Sequence, residues 1–288
     1  MKTNTDPRSP SLSEEELNEN LELWALLEVI YQKYGYDFRN YTYSSIKRQL
    51  KRRMEAEGIQ TISHMQHLAL NQKELFHKLV SDFYINVTEL FRDPSFFKNI
   101  RSHVIPILKS YPSIKIWHAG CGTGQEVYSM AILLMEEGLF EKAHIYATDV
   151  NTEALNKARQ GIYSIELIKE DTHNYFESGG TESLSKYCTA SYGNVIMKSE
   201  IKKNISFFDH NLVTDNSFGE MNLIFCRNVL IYFNSELKQR SVRVFWDSLC
   251  HKGFFCAGAN ERLLGEENEA LFDVFDDKNK IYRKKEAA

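Results

Sequence analysis

Apolar residues recur along this chain with two different rhythms. In the first third they return every three to four positions, the spacing of one helix face. Ser13 and Glu16 have the spacing of a capping box, and Leu17, Leu21, Trp24 and the apolar residues up to Tyr31 continue a helix from it. Similar patterns predict helices over 44–57, 63–70 and 73–83, with no strand before about Lys115. Asp93-Pro94 marks a break, and 95–110 reads as a further helix despite Pro106. Beyond it, short apolar runs alternate with amphipathic stretches. Strands are predicted at 114–118, 144–148, 221–226, 254–259 and 280–284, and helices at 125–137, 152–160 and 235–251. Such alternation predicts an α/β fold, a mostly parallel sheet with helices on both faces. Within it, 184–208 mixes Tyr187, Tyr192, Val195, Ile196, Met197 and Ile201 with the turn residues Ser191, Gly193 and Asn194, and reads as a small antiparallel β subdomain rather than a long loop. The expected organisation is a disordered 1–12, an all-α domain over 13–85, a linker over 86–97 and an α/β domain over 98–288.

Composition narrows the class. The chain has 288 residues, 43% of them hydrophobic and 26% charged, enough for a substantial core in one large or two modest domains. A formal charge of −4 gives no whole-molecule attraction to nucleic acid. The five cysteines (Cys121, Cys188, Cys226, Cys250, Cys256) are scattered, with no C-x-x-C pair, which argues for reduced thiols rather than a disulfide framework or zinc site. No apolar run approaches the roughly 20 residues that span a bilayer, and 1–10 is polar. The expectation is a cytoplasmic protein that is not inserted in a membrane and needs no metal.

The candidate chemistry centres on the run from Lys115 to Asp149. An apolar strand enters the turn Ala119-Gly-Cys-Gly-Thr-Gly124, a helix follows, and the next strand stops at Asp149. Glycines let the backbone turn tightly and approach a ligand, and a carboxylate ending the second strand can hold two ribose hydroxyls. Gly120, Gly122 and Gly124 do not follow the G-x-G-x-x-G spacing of dinucleotide sites, and Glu126 would repel a pyrophosphate while suiting a cation. The turn therefore favours S-adenosylmethionine over NAD. Asp149 could instead cap the next helix, although Asn151 and Thr152 can serve there, and Glu126 could be a solvated first-turn acid favoured by the helix dipole.

The blocks IWHAGCGTGQEVYSMAILL (116–134), YATDVNTEALNKARQGIYS (146–164) and NLIFCRNVLIYF (222–233), with INVTELFRDPSFF (85–97) and Asn211-Leu212, together resemble the chemotaxis receptor methyltransferase family, the CheR family. The resemblance covers nearly the whole chain. It implies an all-helical N-terminal domain followed by a Rossmann-like S-adenosylmethionine-dependent methyltransferase domain. It also implies esterification of glutamates on the cytoplasmic helices of methyl-accepting chemoreceptors, with S-adenosylhomocysteine as product. Carried over position by position, it implies cofactor contacts at Asn86, Thr88, Arg92, Ala119, Gly120, Glu126, Asp149, Asn211, Leu212, Arg227 and Asn228, and catalytic roles for Arg92 and Tyr232. Arg92 could equally be half of a helix-ending ion pair with Asp93, and Tyr232 a core aromatic. No Asn/Asp-Pro-Pro-Tyr motif follows strand 221–226, which agrees with a carboxylate nucleophile that has no proton to lose.

Lys47, Arg48, Lys51, Arg52 and Arg53 fall on neighbouring rows of one predicted helix and form a cationic face. The resemblance makes this face the receptor-binding surface; alternatively it is simply solvated. Without interleaved aromatics it does not resemble a nucleic-acid platform. The segment YGNVIMKSEIKKNISF (192–207) lacks arginine and the extra loop residues of relatives that clip onto a receptor's C-terminal peptide, so docking without that tether is expected. Gln125 and Gly122 depart from the family pattern. Other outcomes compatible with the sequence are a methyltransferase of the same fold acting on another protein or a small carboxylate, and a non-catalytic regulatory module.

Overall fold

In a computed structural model, the structure describes residues 13–84, 88–263 and 270–286. The expected disordered segment 1–12 and the candidate Asn86 lie outside the described residues. The chain forms two compact units: the residues before 86 together with Tyr232–Ser241, and 86–231 together with 242–288.

The first unit is helical: α1 (Glu14–Tyr34), α2 (Tyr43–Glu57), α3 (Ile62–Asn71) and α4 (Lys73–Phe83). Ser13 and Glu16 close the expected capping box, and Gly35 ends α1 in the left-handed conformation. The buried face of α1 is Leu23, Leu26, Leu27 and Ile30, whereas Leu21 and Trp24 stay 42% and 49% exposed. In the same unit an aromatic cluster forms, with Phe38 meeting Tyr41 and Phe83 edge-on at centroid distances of 5.2 Å. The segment from Tyr232 completes the unit: Tyr41 and Phe233 form an antiparallel bridge, Thr42 N–H donates to the Tyr232 carbonyl, and Asn234 N–H to the Asn40 carbonyl.

Among the described residues, the second unit contains ten strands and the remaining helices. The strands are β1 (Ile114–Ala119), β2 (Ala143–Asp149), β3 (Ile162–Ser164), β4 (Cys188–Ser191), β5 (Asn194–Met197), β6 (Ile205–Asp209), β7 (Met221–Cys226), β8 (Leu249–Ala257), β9 (Phe272–Asp276) and β10 (Ile281–Lys284). The helices are α5 (Pro94–Asn99), α6 (Ile105–Leu108), α7 (Gln125–Glu136), α8 (Thr152–Gln160), α9 (Ile168–Glu177), α10 (Ser199–Lys202) and α11 (Ser235–Ser248), the last beginning in the helical unit. Seven strands form one sheet in the order β6-β2-β1-β7-β8-β10-β9. The first five are parallel, and β10 pairs antiparallel with both β8 and β9. In β7, Met221, Leu223, Ile224, Phe225 and Cys226 are all buried, as expected of a strand covered on both faces. Strand order reverses between β1 and β7, so the crevice for a ligand opens at their carboxyl ends.

Two expectations need correction, and two elements have no counterpart in the sequence pattern. The small antiparallel sheet is β3-β5-β4, so it recruits Ile162–Ser164 and stops at Met197, while β6 is the edge of the large sheet. β9 and α9 carried no clear pattern, since β9 is an edge strand exposed at its centre. The predicted helix 95–110 is interrupted by a π-helical turn over Ile100–Val104, where Ile105 N–H reaches back five residues to the Ile100 carbonyl just before Pro106, which has no N–H to give. No helix among the described residues is long and apolar enough to cross a membrane.

Candidate active site

Ala119 ends β1, and the backbone then turns through Gly120, Gly122 and Gly124 at φ 73°, 54° and 89°. The N–H groups of Gly120 and Cys121 both donate to the Thr148 carbonyl, at 2.8 and 2.9 Å, which binds the turn to the end of β2. Position 120 must lack a side chain, because a Cβ there would stand 2.6 Å from Val229 Cγ2 in the turn after β7.

Asp149 is the last residue of β2 and only 8% exposed. Its Oδ2 accepts from Gly122 N–H at 2.7 Å and its Oδ1 from Asn151 N–H at 2.8 Å. Burial pushes this carboxyl up from its ordinary value, and the backbone donors oppose the shift. A carboxylate has about four lone-pair sites, so hydroxyls can still be accepted. Asn151, not Asp149, caps α8, its Oδ1 accepting from the N–H groups of Glu153 and Ala154.

Glu126, in the first turn of α7, is not a solvated acid. Its Oε2 accepts from Arg227 Nη1 at 2.8 Å, and its Oε1 lies 3.1 Å from His118 Nδ1. Burial is the largest influence and raises this carboxyl, but Arg227 and His118 together hold it below its ordinary value, and hence ionised. Arg227, whose side chain is 1% exposed, also reaches Asp93 Oδ2 at 2.5 Å and lies over the Phe96 ring at 4.0 Å. The guanidinium therefore joins the end of β7, the start of α7 and the turn before α5. His118 stacks on Phe225 at 4.4 Å.

Arg92 sits between two left-handed residues, Phe91 at φ 53° and Asp93 at φ 58°. Such a backbone costs of order 1–3 kcal/mol per residue unless its surroundings impose it. Here Leu90 N–H donates to Asp171 Oδ1, Phe91 N–H to Ser129 Oγ, and Asp93 meets Arg227. The Thr88 carbonyl accepts from Gln125 Nε2 at 3.1 Å, while Gln125 Oε1 accepts from Thr123 Oγ1 at 2.7 Å. Glutamate could not make the first of these bonds, so the departure at 125 has a local reason. Beyond β6, Asn211 Oδ1 accepts from Val213 N–H, and Leu212 is buried.

Thr88, Arg92, Ala119, Gly120, Glu126, Asp149, Asn211, Leu212, Arg227 and Asn228 thus all fall in the α/β unit, whereas Tyr232 and the five cations of α2 belong to the helical one. Those cations are not a single open face. Lys47 and Lys51 share Glu19 at 2.8 and 2.9 Å and Arg53 binds Asp82 and Glu57, while Arg48, Lys51 and Arg52 are the exposed members of the five. Sequence reasoning did not single out His118, Ser129, Asp171 or Glu261. Ser129, Asp171 and Glu261 accept from backbone N–H groups 30 or more positions away, and only a fold reveals such pairs, whereas His118 meets Glu126 across the glycine turn.

The residues at the crevice suit an S-adenosyl nucleoside: a carboxylate ends the second strand, and Glu126 at the start of α7 is held ionised where a cation is to be received. The comparisons with known proteins agree. The model described as CheR methyltransferase, SAM binding domain, matches residues 86–280, and that described as CheR methyltransferase, all-alpha domain, matches 21–84. The chain is 45% identical over 269 residues to a putative methyltransferase Cher3 of Pseudomonas putida, covering 93% of this chain and 98% of that one. It is 31% identical to a chemotaxis protein methyltransferase of Vibrio parahaemolyticus, over 69% of this chain and 72% of the relative. A chemotaxis protein methyltransferase of Salmonella typhimurium is 28% identical, with 82% of each chain covered. The chain belongs to the CheR family of S-adenosylmethionine-dependent methyltransferases.

Proposed function

We propose that this protein forms methyl esters on glutamate side chains of chemoreceptor cytoplasmic helices. The observation that supports the reading is the half-buried Glu126, held below its ordinary value, and so ionised, between Arg227 and His118. The bound nucleoside supplies a sulfonium methyl, whose transfer to a carboxylate oxygen leaves a thioether and requires no proton to be removed. Asp149 holds the ribose hydroxyls, and Glu126 offers its charge to the cationic amino-acid tail. Asn86, Thr88, Ala119, Gly120, Asn211, Leu212, Arg227 and Asn228 complete the cofactor contacts. Arg92 presents its guanidinium fork to a carboxylate and turns it for in-line attack. Tyr232 faces the acceptor. Opposite charges vanish in this reaction, so a site that excludes water accelerates it, and positioning alone can contribute on the order of 7 kcal/mol.

Arg48 and Arg52, with Lys47, Lys51 and Arg53 beside them, are the surface offered to an acidic receptor helix. Docking needs no C-terminal peptide tether, and the reaction takes place in the cytoplasm without a metal. The test is incubation with methyl-labelled S-adenosylmethionine and receptor cytoplasmic fragments. Label released by alkali as methanol is the expected result. Alkali-stable label would indicate N-methylation, and absence of label in a protein that binds S-adenosylhomocysteine would indicate a regulatory module; either outcome overturns the reading.

A further inference from the structure

One carboxylate at the crevice belongs to none of the motifs. Glu261 lies three residues beyond Gly258, past the end of β8, and is 5% exposed. Its Oε2 accepts from the N–H groups of Asn228 at 2.9 Å and Gly258 at 2.6 Å, and its Oε1 from Ile231 N–H at 3.0 Å. A single side chain thus ties the end of β8 to both sides of the turn that follows β7. That turn is otherwise unfavourable, since Asn228 stands at φ 61°. It is also gripped closely. A Cβ added to Gly258 would lie 2.8 Å from both Asn228 N and Glu261 Oε2, and on the opposite side Val229 fills the space that a side chain on Gly120 would need. Burial raises the Glu261 carboxyl, and the three backbone donors offset part of that. Hydrogen bonds to an ionised acceptor are roughly twice as strong as neutral ones, and glutamine would offer one acceptor oxygen to three donors.

We infer that Glu261 is a positioning residue for the cofactor half of the crevice: its carboxylate sets the backbone of Cys226-Arg227-Asn228, so that Arg227 meets Glu126 and Asp93 and Asn228 keeps its left-handed conformation. The inference rests on the proposed S-adenosyl site. It gives a residue outside the glycine turn and the strand-end motif control over affinity for the nucleoside, acting through Asn228 and Arg227 rather than by contact. A purely structural carboxylate would lower stability without changing affinity for the nucleoside or the effect of Asn228 on that affinity.

The experiment is calorimetric titration of the intact protein with S-adenosylhomocysteine, alongside thermal melts. Wild type, Glu261→Gln, Asn228→Ala and the double variant form one cycle, and Asp149→Asn in both backgrounds serves as comparison. Glu261→Gln is expected to weaken binding at least tenfold while keeping the wild-type circular dichroism spectrum. Asn228→Ala should cost about fivefold alone but less than twofold once Glu261 is replaced, whereas Asp149→Asn should cost the same factor in both backgrounds. Affinity within twofold of wild type for Glu261→Gln, or an undiminished effect of Asn228→Ala beside it, overturns the inference. Should Glu261→Gln fail to fold, Gly258→Ala, which keeps the carboxylate but displaces the same turn, must show the tenfold loss, and unchanged affinity overturns the inference equally. A wild-type protein with no affinity for the nucleoside would instead overturn the reading of the crevice itself.

Discussion

Gln125 is the residue at which this chain's own chemistry is most visible. Its amide donates to the Thr88 carbonyl and accepts from the Thr123 hydroxyl, so it ties the segment before Arg92 to the glycine turn. Gln125→Glu would set a carboxylate oxygen against the Thr88 carbonyl at about the same distance, in a position that is 6% exposed. A buried acceptor facing another acceptor costs on the order of 1–3 kcal/mol. The expected outcome is a lower melting temperature and S-adenosylhomocysteine affinity reduced by roughly tenfold, a factor that corresponds to about 1.4 kcal/mol. Unchanged melting and binding would mean that the bond does not hold the segment. The sequence marked Gln125 as unusual without giving the reason, because the partner lies 37 positions away and is a backbone atom.

At the scale of elements, the glycine turn, Asp149 and the end of β7 were legible because each couples a short apolar run to a turn, and that coupling is local. The two edge strands β6 and β9 were less so, since an edge strand buries neither face fully and loses its alternation. α9 escaped as well, although it contributes Asp171, which accepts from Leu90 N–H and steadies the turn bearing Arg92. Burial pushes the Asp171 carboxyl from 3.8 up to about 6, the Leu90 N–H opposing and the nearby Glu89 and Glu170 charges assisting. Because the folded value is raised, this group's stabilising contribution is complete below about pH 4 and disappears as pH rises through about 6. Asp171→Asn, which keeps an acceptor for Leu90, should therefore stabilise the protein at pH 7–8 by on the order of 1–2 kcal/mol. It should also flatten the dependence of stability on pH between 4 and 6, as denaturant titrations at several pH values would reveal. On α2, Arg48 and Arg52 are exposed beside the ion-paired Lys47, Lys51 and Arg53. Replacing both with Glu should lower methylation of receptor fragments about tenfold or more at low salt while leaving S-adenosylhomocysteine affinity unchanged. The difference should shrink as ionic strength rises and screens exposed charges. Equal methylation at low salt would remove α2 from the receptor surface.

The division of the whole molecule does not follow the order of the chain. Tyr232–Ser241 belongs to the helical unit although the strands on either side of it, β7 and β8, are neighbours in the large sheet. Sequence periodicity could not reveal this, because apolar residues such as Leu230 and Phe233 announce that they will be buried but not against what. Within the helical unit the segment supplies Phe233 against Tyr41, with ring centroids 5.1 Å apart, and backbone bonds from Thr42 and to Asn40. Residues 1–85 alone would leave Tyr41 and the start of α2 without these partners, and a unit of this size keeps only a few kcal/mol of net stability. The fragment 1–85 is therefore expected to show less helical circular dichroism than its share of the intact protein, and to melt broadly. Adding a synthetic peptide of residues 230–243 should raise helicity in a saturable manner, and the same peptide with Phe233→Ala should not. A fragment that melts as sharply without the peptide as with it would show that the helical unit is self-sufficient, and that the returning segment is a passenger in its core.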